Sequence, residues 1–165
     1  MALYEATLRD FFRRTASGRQ LAAEAATATE QTGAKTFRVH VVKLEGNDEF
    51  IVDRSMLVDL CDAVLAGDVP PACLEPIGFA LVFSEHLRWA EEDDLVPDIL
   101  YDWASPEINW ELTTENVRMF RGWLTGEHEP PPRPQLDTTS SGAPLVRRTE
   151  LAPKPSGGAN RGDDA

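Results

Sequence analysis

Ile77-Gly78-Phe79-Ala80-Leu81-Val82-Phe83 is the most apolar stretch of the chain, and its reading decides the fold. It admits two interpretations, a buried helix over about 72–88 or a short central strand. Helix is preferred because Ala72 to Glu75 on one side and Ser84 to Trp89 on the other carry it past ordinary strand length. With that segment helical, the chain reads as mostly α.

Helical periodicity recurs on both sides. After Asp53 or Ser55 as a cap, Leu57, Leu60, Cys61, Val64 and Leu65 share one face over about 54–66, and Gly67 stops the helix. Asp94 is expected to cap residues 95–104, where Leu95, Ile99 and Trp103 align and Pro97 falls harmlessly in the first turn. Thr113 caps a last helix to Leu124, and Gly122 inside it implies a close neighbour. Near the start, residues 3–15 present Tyr4, Leu8, Phe11 and Phe12 as a stripe. Residues 19–31 form an alanine-rich helix that allows close approach. Between these blocks, Phe37, Val39 and Val41 alternate with Arg38 and His40, Gly46-Asn47 reads as a turn, and Glu49 to Val52 is β-prone. This predicts an antiparallel hairpin. The expected fold is α+β, a predominantly helical single domain of about six helices with one antiparallel β-hairpin.

The domain is expected to span 1–126. Residues 127–165 hold seven of the twelve prolines and no Phe, Trp or Tyr, and read as a Pro-rich disordered tail. Pro131 to Pro134 has Pro-x-x-Pro spacing, a pattern common by chance. Among 165 residues there are 28 acids, 16 Lys plus Arg and a formal charge of -12. The tail holds six acids and five bases, so the acidity belongs to 1–126. No apolar run approaches the ~20 residues of a membrane span. No signal peptide is read at the N-terminus, and two cysteines make no disulfide framework. The expected localisation is therefore cytoplasmic.

Charge is segregated along the chain. Residues 1–43 contain seven bases and four acids. Residues 85–115 contain ten acids and only Arg88, and all four tryptophans lie in or beside that stretch. Trp103 and Trp123 sit at core positions. The surface expected to meet a partner is Trp89, Glu91, Glu92, Asp93, Asp98, Tyr101, Asp102, Glu107, Asn109, Trp110 and Glu111, an aromatic face with a negative rim.

Catalytic signatures are lacking. His40 points outward on its strand and His128 lies in the tail. His86 has Glu85 adjacent and Asp93 not far on, but Val82 and Ala90 stand where helical metal ligands would be needed. A helix-surface histidine is the simpler account of it. Cys61 and Cys73 are too far apart for a Cys-x-x-Cys motif, and no phosphate loop or nucleophile elbow occurs. No catalytic residue, cofactor or metal is assigned. Phosphates are repelled by the net charge, whatever patch Arg9, Arg13, Arg14 and Arg19 form, so direct nucleic-acid binding is not expected. The leading expectation is a non-catalytic module that masks a basic protein. It would act as an inhibitor of toxin-immunity or antitoxin type, or by imitating nucleic-acid charge. The alternatives are a small carboxylate hydrolase, with Glu107 and Glu111 as acid and base beside Trp110, and a homo-oligomeric scaffold.

Overall fold

The computed structural model describes residues 2–132. Six helices carry the architecture: α1 (Glu5–Phe12), α2 (Gly18–Ala28), α3 (Arg54–Leu65), α4 (Leu74–Phe83), α5 (Leu95–Ala104) and α6 (Thr114–Thr125). The short strands pair only two at a time. β1 (Leu3–Tyr4) runs parallel to β4 (Val41–Val42), and β2 (Thr29–Gln31) is antiparallel to β3 (Phe37–Val39). β5 (Phe50–Ile51) runs parallel to β6 (Leu87–Arg88). The class is α+β, mostly helical, with one antiparallel hairpin.

That hairpin is not the one expected. Gly46 does turn, with φ +85°, but the runs on either side of it do not pair with each other. β3 folds back on the end of the alanine-rich segment through a turn closed by Thr32 N–H donating to Thr36 O at 2.9 Å. The β-prone runs then take partners distant in sequence. Leu3 N–H donates to His40 O at 2.9 Å, and Phe50 N–H donates to His86 O at 2.8 Å. Pairing with segments that carry buried Leu3 and Leu87 joins backbone hydrogen bonds to core burial, which a local hairpin around Gly46 would not do. The same pairings trim the helices. β1 takes Leu3 and Tyr4 from the first, β2 takes Thr29 to Gln31 from the second, and the helix through Ile77–Phe83 ends before β6.

Side-chain caps set several starts. Asp53 Oδ1 accepts from Met56 N–H at 3.0 Å, and Thr113 Oγ1 accepts from Asn116 N–H at 3.1 Å. Each satisfies an amide that the helix leaves unpaired. Gly126 ends α6 in the left-handed conformation, φ +83°. α4 lies along α5, and α3 along α6. Trp103 and Phe120 are fully buried between them, with edge-to-face rings 6.1 Å apart. The compact unit runs past Gly126 to Pro130. Gly122 explains part of that extension: a Cβ there would lie 2.7 Å from His128 Cδ2, so the glycine makes room for the imidazole. The readings of disorder and of Pro-x-x-Pro spacing in the tail lie outside the described residues beyond Pro132.

Gly78 governs the α4–α5 contact. A Cβ there would come within 2.8 Å of Trp103 Cβ, 3.0 Å of Ala104 N and 3.1 Å of Leu100 O. Two of those atoms are backbone, so only movement of α5 relieves the clash. Gly78→Ala gains helix propensity of about 1 kcal/mol, set against overpacking of about 1–3 kcal/mol. The expected outcome is net destabilisation, read as a lower urea midpoint. An unchanged or higher midpoint would mean that the helices are not in contact at Gly78.

Candidate acidic surface around α5

The acidic stretch is organised by α5 and the loops at its two ends. Asp93, not Asp94, supplies the side-chain cap. Its Oδ1 accepts from Leu95 N–H at 3.0 Å and Val96 N–H at 3.1 Å, whereas Asp94 makes no such bond. Arg54 of α3 grips the same carboxylate at 3.1–3.2 Å. Burial pushes the Asp93 carboxyl up. The Arg54 guanidinium and the two amides outweigh it and hold the group below the usual aspartate value.

At the other end, Asn109 Nδ2 donates to Ser105 O at 3.2 Å and Tyr101 O at 3.5 Å, adding a side-chain donor to carbonyls that already accept from Ile108 N–H and Ser105 N–H. Asn116 Nδ2 donates to Glu111 O at 2.7 Å, tying the 105–113 loop to α6. Trp110 is half-buried and sets its ring edge-to-face on Trp123, centroids 5.8 Å apart. Tyr101 (48 % exposed) and Ile108 (77 % exposed) stand out from this loop and helix.

The eleven residues expected on the surface therefore separate. Glu91, Glu92, Tyr101, Glu107, Asn109 and Glu111 are exposed, and Trp89, Trp110 and Asp98 are half-buried. Trp89 packs its inner side on the core beyond β6. Asp93 is committed to Arg54 and the α5 cap. Asp102 is only 1 % exposed and, like Asp98, has a partner within the protein, so it lies beneath this face rather than on it. Trp103 and Trp123 are buried.

The sequence reading passed over three contributors. Glu75 at the start of α4 has its carboxyl raised by burial and by the charge of Glu107, which places two carboxylates in one field. Exposed Ile108 was detectable as an aliphatic residue in a polar loop beginning at Ser105-Pro106. Trp123 with Arg54, Asp94, Asp98 and Glu129 borders a cleft of about 410 Å³, a grouping that no local pattern announces.

The nine ion pairs among the described residues are unevenly placed. Arg9 pairs with Asp10, Arg14 with Asp59, Arg19 with Asp68 and Arg121 with Asp62. The basic patch of α1 and α2 is thus answered largely by local and α3-side aspartates, not by the acidic stretch. None of the nine includes Glu91, Glu92, Asp94, Glu107, Glu111 or Glu115.

His86 lies on no helix. It sits between α4 and β6, its Nδ1 3.7 Å from Glu5 Oε2 rather than near Asp93, and its Nε2 donates to Gly46 O at 2.8 Å. Cys61 and Cys73 are buried free thiols. Burial, with the charge of Asp62, pushes Cys61 up to about 12, and burial also raises Cys73, so neither is primed as a thiolate. Among the described residues no three His, Cys, Asp or Glu side chains gather to hold a metal ion, and no helix is long and apolar enough to cross a membrane. No protein-family model, curated protein or solved structure matches the chain.

The Asp93 cap gives a signed expectation. A carboxyl lower in the folded than in the unfolded chain stabilises above the unfolded value, and that stability is lost as pH falls through the folded one. Asp93→Ala removes cap and ion pair and is expected to cost about 1–2 kcal/mol at neutral pH. The gap from wild type should narrow in acid, once the pH falls below the ordinary aspartate value. Urea titrations of both proteins at the two pH values check this; a gap that is constant with pH would contradict it.

Proposed function

We propose that this protein is a non-catalytic binding module whose acidic α5 face masks a cationic protein partner, in the manner of an inhibitor or immunity protein. The observation that supports the reading is the set of six carboxylates outside every ion pair among the described residues, Glu91, Glu92 and Asp94 before α5, Glu107 and Glu111 after it and Glu115 in the first turn of α6, on a stretch that also carries exposed Tyr101 and Ile108 and half-buried Trp110. Carboxylates without internal cations raise the encounter rate with a basic surface. The aromatic and aliphatic groups supply area that a bound partner would desolvate. Burial and Glu107 raise the Glu75 carboxyl, so a cation seated there favours its deprotonated form. Affinity then falls as pH drops through that raised value. A cytoplasmic setting is part of the proposal, and the unbridged cysteines are compatible with it.

Association of a fluorescent lysine- and arginine-rich peptide tests the steering. The rate constant should fall steeply from low salt to physiological salt, where the screening length is ~8 Å. Joint substitution of Glu91, Glu92, Glu107 and Glu111 by Gln should remove most of that salt dependence. A salt-independent rate in the native protein would sink the proposal. Ile108→Ala, which disturbs no core packing, and Trp110→Ala should speed dissociation of a partner captured from native lysate. If neither changes it, the aromatic half of the surface is wrong.

A further inference from the structure

A second site lies away from this face, between the start of α1, the strands β3 and β4, and α4. It is a pocket of about 240 Å³ walled by Val39, Val41, Phe79, Ala80 and Phe83, with Glu5 and Lys43 as its charged members. The apolar wall is well formed. The Phe79 and Phe83 rings are 4.7 Å apart, and Phe83 remains 49 % exposed at the rim. Mostly apolar walls with a few convergent polar groups are the usual make-up of a small-molecule site.

Glu5 is what gives this pocket a chemistry. The side chain is fully buried, and its two oxygens differ. Oε2 accepts from Leu44 N–H at 2.8 Å and faces His86. Oε1 is buried with no hydrogen-bond partner. The nearby cations do not supply one. Lys43 Nζ is engaged 3.6 Å from Glu85 Oε1 and forms no ion pair with Glu5. His86 Nε2 is used on Gly46 O, and its Nδ1 lies toward the other carboxylate oxygen. A buried acceptor left open beside an apolar pocket is costly, and an N–H donor carried on an apolar body satisfies acceptor and walls together.

We propose that this pocket binds a small primary amine with a branched aliphatic or aromatic body, its ammonium donating to Glu5 Oε1 and its hydrocarbon lying between Val39, Val41 and the Phe79–Phe83 pair. Glu5 closes the inner end, so the amine enters past Phe83 and the carboxylate turns slightly to meet it. The volume limits the occupant to a compact molecule. The proposal is independent of the acidic face, because it uses none of that face's residues.

Isoamylamine is the probe, with isoamyl alcohol as the uncharged match. Titration of the full chain, followed by amide and side-chain NMR shifts, should show saturable changes at Val39, Val41, Phe79 and Phe83 with millimolar amine. The alcohol should bind roughly tenfold more weakly, a difference of about 1.4 kcal/mol. Phe83→Ala removes an exposed wall and should weaken the amine several-fold while leaving the melting temperature nearly unchanged. Glu5→Gln should abolish the preference for amine over alcohol. If that variant fails to fold, the Phe83 series still decides. Absence of saturable shifts, equal binding of amine and alcohol, or an unchanged affinity in Phe83→Ala would each overturn the proposal.

Discussion

One buried carboxylate holds three separate crossings of this chain together. Glu5 opens α1, accepts from the Leu44 amide, and stands 3.7 Å from His86, whose other nitrogen donates to Gly46 O. The segments so joined are the one that pairs β1 with β4, the loop leading to β5, and the turn leading to β6. The two parallel pairs are only two residues long, far below what is stable alone. They persist because Leu3 and Leu87 are buried at one side, while the Leu44 N–H bond to Glu5 and the His86 bond to Gly46 O tie the loops between. A charge taken out of water needs compensation at short range. Here one oxygen receives it from the Leu44 amide and the other is buried without a hydrogen-bond partner, so the same residue is a structural tie and a charged lining group of the pocket.

The helices depend on a different constraint, the absence of a side chain at Gly78. Close approach there lets Trp103 sink to zero exposure, and Trp103 brings Phe120 and then Trp123 into a chain of edge-to-face contacts. Trp123 in turn carries Trp110. The position of the 105–113 loop, and with it of Glu107, Ile108 and Glu111, is therefore set by aromatic packing that starts on α4. A change at Gly78 would be felt at the acidic face without touching any of its carboxylates.

How much of this was legible follows from the range of each signal. Caps and apolar faces are local, so Asp53, Thr113 and the helical reading of Ile77–Phe83 could be taken from the sequence. Parallel pairing is not local. Nothing near Val41 states that its partner is Leu3, and nothing near Phe50 states that its partner is Leu87. The expected hairpin around Gly46 failed for that reason, since local turn chemistry was the only information available. Glu5 was illegible in the same way. A glutamate in a first turn reads as an exposed group favoured by the helix dipole, and only the arrival of residues 44 and 86 buries it. Asp93 and Asp94 differ by one position, and only the geometry of the preceding turn, closed by Asp93 N–H to Ala90 O, decides which of them caps. Asp102 was assigned to the rim by its charge, but it occupies an inward position of α5.

The distribution of ion pairs bears on the acidic face more than the net charge does. Like charges left together cost folding stability through mutual repulsion, and this chain is able to prevent that. Arg9, Arg14, Arg19, Arg54, Arg88 and Arg121 are each placed against a carboxylate. Arg54 neutralises Asp93 at the start of α5, but Glu91, Glu92, Asp94, Glu107, Glu111 and Glu115 are in none of these pairs, and the charge of Glu107 helps to raise the Glu75 carboxyl. A purely solvated surface gains nothing from such crowding, since dispersed carboxylates keep a protein equally soluble. Carboxylates such as Glu75 and Glu107, the latter on the same stretch as Ile108, Tyr101 and a half-covered Trp110, would gain something if a cationic surface arrived. On the reading proposed for this face, a bound cationic surface would relieve that repulsion, and the free energy held against folding in the unbound protein would become a contribution to association.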